Sequence, residues 1–181
     1  TACPGSGKTR ALTYKIAYEL ERLTNSKKII IAVTFTNRAA DEIKKRIREL
    51  NTDDTNLWAG TIHSFCLEWI LRPYMCYLDE LKNGFSISDE YNSENLMSEL
   101  KKTYGLNFWD SVSTKYLPNG EKEEVVYREL LDEYHETLAS KKLIDFDQIL
   151  HYAHQLILAY PKISEILKNM FHLICVDEYQ D

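Results

Sequence analysis

A glycine-rich segment, Ala2-Cys3-Pro4-Gly5-Ser6-Gly7-Lys8-Thr9, stands at the start of the chain and leads directly into a helical pattern. It fits the phosphate-binding loop pattern, except that Ala2 replaces the first glycine. Residues 9–23 carry leucine and isoleucine at intervals of three and four, which predicts an amphipathic helix. Glycines allow backbone N–H groups to curl around phosphate oxygens, and a helix directs its positive end toward them. The segment therefore predicts a phosphate site at the start of a helix.

Two side chains in this segment suit a magnesium nucleotide. Lys8 supplies a mobile ammonium for the β- and γ-phosphates, and Thr9 can place its hydroxyl on Mg²⁺. The alternative is a glycine-rich turn with an incidental Lys-Thr pair, and the helix behind the loop argues against it. This pattern predicts a nucleoside triphosphate bound together with Mg²⁺.

Helices and strands alternate through the first part of the chain. Residues 29–35 form an apolar run without alternation, as in a strand buried on both faces of a parallel sheet. A helix is predicted over residues 38–50 after the capping residues Thr36 and Asn37, then a short strand at 57–60 and a helix at 64–71. This order predicts an α/β fold with a parallel sheet.

The pattern changes between residues 72 and 142. No convincing strand is found there, acidic residues dominate, and helical periodicity is clearest over residues 92–104 and 122–138. We interpret this segment as an inserted all-helical subdomain. Residues 1–71 and 143–181 would then form the first and second parts of the sheet domain.

The returning part, residues 143–181, ends in an acidic pair. A capping box formed by Asp145 and Gln148 opens a helix to about residue 159, another helix starts at Pro161, and residues 171–176 form an apolar strand candidate. Asp177 and Glu178 follow, where one acid can hold Mg²⁺ and its neighbour can polarise an attacking water. An acidic pair alone is more often a solvated chain end, but its pairing with Lys8 favours a shared magnesium triphosphate.

Charge is distributed unevenly along the chain. Up to Arg48 there are 11 basic and 4 acidic residues, a net charge of +7, whereas the remainder has 11 basic and 24 acidic residues, a net charge of −13. We therefore expect the first quarter of the chain to meet any polyanion. Apolar runs are too short to span a membrane, and the cysteine spacing suggests neither zinc nor a disulfide framework. A cytoplasmic protein with reduced thiols is expected, and the start of the chain suggests a piece of a longer one.

Several segments together resemble the UvrD/Rep family of superfamily 1 DNA helicases. Residues 2–10 are similar to the family's Walker A motif, in which alanine is usual at the first position. Residues 32–40 resemble motif Ia, with Arg38 where lysine is commoner, and residues 60–65 resemble motif Ib. Residues 143–147 resemble the segment that returns after the family's helical insertion, and residues 176–181 resemble motif II.

This resemblance implies an ATP-driven DNA helicase whose motor has two RecA-like (P-loop) domains. The chain would be the first of them with its helical insertion, and the second RecA-like domain would be missing, so the fragment alone is expected to be nearly inactive. The implied partner is single-stranded or partially duplex DNA, and no membrane. The implied catalytic residues are Lys8 and Glu178. The implied nucleotide-binding residues are Gly5, Ser6, Gly7, Lys8, Thr9 and Arg10, with Thr9 and Asp177 as metal ligands. The implied DNA-binding residues are Phe35, Thr36, Asn37, Arg38, Thr61 and His63.

Other interpretations of single residues stay open at this point. Phe35 could be a core aromatic, and His63 could simply cap its helix. The basic face formed by Lys44, Lys45 and Arg48 is interpreted as a solvated helix surface. Two alternatives concern the function: the motor part of a helicase-nuclease or defence-system subunit, and a P-loop kinase or switch NTPase that does not bind DNA.

Overall fold

A computed structural model of the chain describes residues 7–25, 27–117, 119–124 and 126–177, and the side chain of Lys8 is not among the described side chains. The chain divides into two compact units. The first, here called the sheet unit, combines Thr1–Phe65 with Tyr160–Asp181, and the second, the helical unit, is Cys66–Ala159. The helical unit is broader at both ends than the predicted insertion of residues 72–142.

Among the described residues, three of the five strands lie in the sheet unit, and the helices are divided between the two units. The helices are α1 Lys8–Arg22, α2 Asn37–Glu49, α3 Ile62–Phe65, α4 Arg72–Tyr74, α5 Glu90–Thr103, α6 Arg128–Ser140, α7 Phe146–Ala159 and α8 Pro161–Met170. The strands are β1 Ile29–Thr34, β2 Leu57–Thr61, β3 Ser86–Ile87, β4 Leu143–Ile144 and β5 Phe171–Val176.

Strands β2, β1 and β5 form a parallel sheet in that order. Thr34 of β1 is paired with Thr61 of β2, and Val33 is paired with Val176 of β5. Five of the six residues of β1 are buried, because this strand has a neighbour on each side and is covered on both faces. The mixed helices and parallel sheet confirm the predicted α/β class.

The core of the sheet unit lies between the sheet and the first two helices. It is formed by apolar side chains of α1 and α2, among them Ile16, Leu20, Ile43 and Ile47, packed against strand residues that include Ile30. These helix residues recur at three- and four-residue spacing, so they share the faces that the periodicity predicts. Burial of this stripe fixes α1 and α2 on the sheet.

The helical unit has a core of its own. Leu100 of α5 packs with Leu130, Tyr134 and Leu138 of α6. The predicted capping box is present at the start of α7: the Gln148 N–H donates to Asp145 Oδ1 at 2.8 Å, and the Asp145 N–H donates to Gln148 Oε1 at 3.1 Å.

Three features of the helical unit differ from the sequence expectations. First, the short strands β3 and β4 pair in parallel, although the insertion was expected to be all-helical; two-residue strands are too short for alternation to reveal. Second, the helix predicted from residue 122 begins at Arg128. Third, Cys66–Leu71 is π-helical, with Cys66, Ile70 and Leu71 buried at separations of four and five residues.

In the part of the chain that the structure describes, no helix combines the length and apolar character needed to cross a bilayer.

Candidate functional site

The start of α1 and the end of β5 meet at one edge of the sheet. The Thr9 hydroxyl donates a hydrogen bond to Asp177 Oδ2 at 3.0 Å, although the two residues are 168 positions apart in sequence. Thr9 and Asp177 are both partly buried. The contact joins the helix behind the glycine-rich loop to the acidic end of the chain.

The parallel pairing of β1 and β5 positions Asp177. Its backbone N–H donates to the Val33 carbonyl at 2.8 Å, which continues the ladder by one residue beyond β5. Asp177 therefore lies at the carboxyl end of the sheet, where open α/β sheets bind their ligands. The backbone bond fixes the carboxylate beside α1.

The first turn of α1 positions Thr9. Gly7 adopts the left-handed conformation with φ of 81° before the helix begins, a conformation that side chains disfavour. Its carbonyl accepts from the Ala11 N–H at 2.9 Å, and the buried Thr13 hydroxyl donates to the Thr9 carbonyl at 2.8 Å. The N–H groups of the first turn have no partner within the helix, which leaves them available to an anion.

Arg10 faces a pocket that sequence reasoning did not identify. Its guanidinium lies over the Tyr14 ring, 5.6 Å from the centroid, and both line a cavity of about 270 Å³. Arg46, Glu49 and Leu50 of the α2 region line the other side. The four-residue spacing of Arg10 and Tyr14 was the available signal, since it places both side chains on one helix face.

Four of the DNA-binding candidates follow the end of β1. Phe35 is 67% exposed, which excludes the core-aromatic interpretation. Thr36, Asn37 and Arg38 are also exposed, and the Thr36 hydroxyl accepts from the Ala39 N–H at 3.2 Å, so Thr36 caps α2 as predicted. An aromatic ring, an amide and a guanidinium are thus presented together at the carboxyl edge of the sheet.

The other two candidates follow the end of β2. The Thr61 hydroxyl accepts from the Ser64 N–H at 3.2 Å and thereby caps α3, while His63 is partly buried. The cap that the alternative interpretation gave to His63 is therefore made by Thr61. Because Thr61 pairs with Thr34, these residues lie at the same edge of the sheet as Phe35.

The Trp58 ring leaves no room for a side chain at Gly60. A Cβ built on Gly60 would lie 2.6 Å from the Trp58 ring, closer than real side chains come. The Trp58 ring packs edge-on against Phe65 at 5.9 Å between centroids, and Phe65 lies 5.8 Å from Phe171. This aromatic cluster packs Trp58 near the start of β2 against Phe65 at the end of α3 and Phe171 at the start of β5.

Some predicted site residues lie outside the described part of the chain. These are Gly5, Ser6, Glu178 and the side chain of Lys8. The structure therefore brings together Thr9 and Asp177 of the nucleotide set, with Gly7 and Arg10 in the adjoining turns.

The basic face of α2 is largely compensated within the sheet unit. Lys45 pairs with Glu49 at 3.8 Å, and Arg48 pairs with Asp54 at 2.8 Å. Arg46 pairs with Glu42 at 2.8 Å. Exposed pairs of this kind favour the solvated-surface interpretation of this helix.

The donor set at the sheet edge suits a hard cation. Among the described residues, no group of three or more histidine, cysteine, aspartate or glutamate side chains could hold a metal ion. Magnesium, however, is commonly held by one or two protein oxygens while phosphates and waters complete its shell. The Thr9 hydroxyl and the Asp177 carboxylate are such oxygens, so the residues fit Mg²⁺ brought by a nucleotide.

Comparison with known proteins identifies the family. The model of the UvrD/REP helicase N-terminal domain matches residues 1–116 and 102–181, so the chain belongs to this family. It is 31% identical over 196 residues to the ATP-dependent DNA helicase PcrA of Staphylococcus aureus, covering 98% of the chain and 27% of the relative. It is also 33% identical over 196 residues to DNA helicase II of Salmonella typhimurium, with the same coverage of both proteins.

A mycobacterial relative gives the same result. The ATP-dependent DNA helicase UvrD1 of Mycobacterium leprae is 30% identical over 201 residues, covering 98% of the chain and 26% of the relative. The chain therefore spans about a quarter of the length of the relatives it matches.

Proposed function

We propose that this chain is the ATP-binding part of an ATP-dependent DNA helicase or translocase. The observation that carries the proposal is the hydrogen bond from Thr9 to Asp177, which joins two nucleotide-binding motifs across 168 residues. Membership of the UvrD/REP family supports the same function. The printed names of the relatives, ATP-dependent DNA helicases among them, support ATP and DNA as ligands.

The nucleotide would bind at the start of α1. Bound Mg²⁺ would offset the negative charge that develops on the transferred phosphoryl group. Thr9 and Asp177 would hold the metal, and Gly5, Ser6, Gly7 and the Lys8 ammonium would hold the phosphates. Glu178 would orient and deprotonate the attacking water as general base. Arg10, stacked on Tyr14 beside the 270 Å³ cavity, would lie near the base of the nucleotide.

Single-stranded DNA would follow the strand ends. Phe35 offers an exposed ring on which any base can stack, and Arg38 offers a charge to the phosphate backbone. Thr36, Asn37, Thr61 and His63 would add polar contacts to the backbone. Such a surface holds DNA without reading its sequence.

The finer organisation is part of the same proposal. Residues 1–71 and 143–181 would form a RecA-like domain, and residues 72–142 its helical insertion. The full-length protein would pair this domain with a second RecA-like domain and act in the cytoplasm on single-stranded or partially duplex DNA. A trans or cis arginine contact is worth about 10³ to 10⁵ in rate. We therefore expect little hydrolysis from the 181 residues alone.

Nucleotide binding is tested by removing one hydroxyl. Thr9→Val should weaken the Mg²⁺-dependent binding of a fluorescent ATP analogue about tenfold or more, because the variant lacks the hydroxyl oxygen that is proposed to bind Mg²⁺. Thr103→Val is the matched control, since Thr103 is an exposed helical threonine whose hydroxyl bonds Glu99 in the turn before it. Equal affinity of Thr9→Val and the unmodified chain, with and without Mg²⁺, contradicts the proposed site.

Catalysis is tested in the full-length protein. Lys8→Ala should abolish DNA-stimulated ATP hydrolysis, because the Lys8 ammonium is the group proposed to contact the β- and γ-phosphates. Unchanged turnover would eliminate the proposed mechanism. Vigorous ATP hydrolysis by the isolated chain would contradict the need for a second domain.

DNA binding is tested with a labelled oligothymidine titrated at two salt concentrations. Phe35→Ala should cost about 1–3 kcal/mol of binding free energy through lost stacking, and Arg38→Ala should reduce the salt slope by about one. Tyr91→Ala is the control, because Tyr91 is 72% exposed but lies in the helical unit. Absence of single-strand binding in the full-length protein would favour a P-loop NTPase that does not act on DNA.

A further inference from the structure

The connection between α5 and α6 exposes two neighbouring aromatic side chains. Phe108 is 72% exposed and Trp109 is 88% exposed, and their rings meet edge to face with centroids 5.3 Å apart. Tryptophan and phenylalanine are the side chains that gain most from leaving water. Two of them side by side on a surface indicate an interaction site more often than single scattered apolar residues do.

A hydrogen-bonded turn holds this aromatic pair in place. The Asn107 N–H donates to Asp110 Oδ2 at 2.7 Å, and the Asp110 N–H donates to the Asn107 carbonyl at 3.1 Å. The Lys101 ammonium donates to the Asp110 carbonyl and ties the turn to α5. The two rings are thus presented by an ordered turn, so little conformational entropy is lost when a partner covers them.

A groove of about 390 Å³ lies beside the turn. Its lining includes Phe108, the apolar side chains Met97 and Val112, the charged residues Glu94 and Lys101, and the buried Tyr134. Met97 and Val112 also pack against the core of the helical unit, so the groove has a firm apolar floor. This size suits one or two apolar side chains of a ligand.

The charge of the helical unit selects between possible partners. Residues 66–159 contain 17 acidic and 9 basic side chains, a net charge of −8, whereas the rest of the chain has 11 acidic and 13 basic side chains, a net charge of +2. A unit with this negative charge repels the phosphate backbone of a nucleic acid and attracts a basic partner. The exposed Trp109 ring is also the best aromatic face for a lysine or arginine.

We propose that Phe108, Trp109 and the adjoining groove form a docking surface for a basic segment of a protein partner. An apolar side chain of the segment fills the groove, and its lysine or arginine side chains lie over Trp109 and face the carboxylates of the helical unit. This proposal rests on residues of the helical unit and not on the nucleotide and DNA sites proposed for the sheet unit.

The test uses two synthetic 15-residue fluorescent peptides with the full 181-residue chain. Both carry leucine at helical spacing, and the remaining positions are lysine and arginine in one peptide and glutamate in the other. Fluorescence polarisation should show binding of the basic peptide alone. Phe108→Ala/Trp109→Ala should weaken it by roughly thirtyfold, the effect of losing a hot-spot aromatic pair. This variant changes no charge, so the loss separates docking from general electrostatic attraction.

Two further variants complete the design. Tyr91→Ala, which removes an equally exposed aromatic outside the groove, should change the affinity less than twofold. Glu94→Lys, which reverses a charge at the groove, should weaken the basic peptide and provides an independent variant if the double alanine variant folds poorly. Far-UV circular dichroism and thermal unfolding verify folding.

Three results would overturn the proposal. In the first, the double alanine variant and Glu94→Lys both bind the basic peptide as tightly as the unmodified chain does. In the second, the unmodified chain binds the basic and the acidic peptide equally well. In the third, the double alanine variant loses affinity for a forked DNA duplex and keeps its affinity for the basic peptide, which would assign the surface to nucleic acid.

Discussion

Asp177 in the sheet unit and His135 in the helical unit lie in different environments. In the sheet unit, the Asp177 carboxylate lies partly buried at the end of a strand and accepts a hydrogen bond from Thr9 at 3.0 Å. In the helical unit, both ring nitrogens of His135 are buried with no hydrogen-bond partner in the described part of the chain. Burial lowers the pKa of His135 to about 4, and the positive charge of Lys122 acts in the same direction.

This difference follows from where each architecture leaves its polar groups. Parallel strands end together at one edge, so side chains far apart in sequence meet there and remain open to a ligand. A helix that packs its face into a core buries whatever lies on that face. His135 lies against the Tyr134 and Tyr116 rings, with centroids 5.2 and 5.9 Å away. The Asp177 carboxylate is therefore placed where it can contact a ligand, whereas burial in the helical unit disfavours the charged form of His135.

Buried apolar side chains should stabilise the two units to a similar extent. Removing one of them is the change with the largest expected effect on stability. Ile43→Ala in the sheet unit and Leu131→Ala in the helical unit each remove a side chain with 0% exposure. Each should lower the free energy of unfolding by about 2–5 kcal/mol, measured by urea denaturation. Ile166→Ala, at a position that is 44% exposed, is the control and should cost less than about 1 kcal/mol. A loss confined to one unit would mean that the other has no firm core.

The pH dependence of stability should reveal the buried histidine. The unfolded chain takes up a proton on His135 near pH 6.5, whereas the folded chain resists it until about pH 4, so acidification favours unfolding across this window. The loss should reach roughly 3 kcal/mol at pH 4. Asp145 acts in the opposite direction, because burial raises its pKa and acidification therefore favours the folded chain.

His135→Phe isolates the contribution of this residue. The variant keeps a ring between the two tyrosines and should show a shallower fall in unfolding free energy between pH 6.5 and 4. The difference between variant and unmodified chain, measured by urea denaturation across this range, is the quantity of interest. Parallel curves would show that His135 titrates alike in the folded and unfolded chains.

Close packing at a strand end of the sheet unit predicts the next effect. Gly60→Ala should cost about 1–3 kcal/mol, because its Cβ would lie 2.6 Å from the Trp58 ring. Trp58→Phe shortens that ring, so the double variant should be less destabilised than the sum of the single variants. Additive costs in thermal unfolding would show that the two residues do not clash.

Side chains that cap helices should contribute similarly to the stability of both units. Removing a cap is the change with the smallest expected effect on stability. Thr36→Ala removes the hydroxyl that caps α2, and Asp89→Ala removes a carboxylate that accepts from the Asn92 N–H at 2.7 Å. Each should cost about 1 kcal/mol, measured by urea denaturation. Thr36→Ser keeps the capping oxygen and should retain most of the stability, and a cost as large as that of Thr36→Ala would assign the loss to the methyl group.

Features that depend on neighbours in sequence were predicted well. The strand at residues 171–176 has the expected bounds, and the capping box of Asp145 and Gln148 makes both expected hydrogen bonds. The π-helical turn at Cys66–Leu71 was missed, because apolar spacing over so few residues does not separate it from an α-helix. The pocket beside Arg10 was missed since it needs α2 as well as α1.

The roles of the candidate site residues stay predictions, but the structure gives the positions of those that it describes. The motifs predicted that Thr9 and Asp177 bind the same ligand, and the Thr9 hydroxyl lies 3.0 Å from Asp177 Oδ2. Phe35 was left open between core and surface, because its residue type fits both. Its exposure depends on β1 ending one residue earlier and on the chain turning there into α2.

By itself, the sequence determined the local elements of this protein: an amphipathic helix behind a glycine-rich loop, an apolar central strand and the caps that begin its helices. Each depends on interactions within a few residues. Only the tertiary structure decided that β5 lies beside β1, that Trp58 covers Gly60 and that two aromatic rings of the α5–α6 connection face solvent. The physical reason is that these outcomes depend on which distant segments share a core, and that choice is made by the packing of the whole unit.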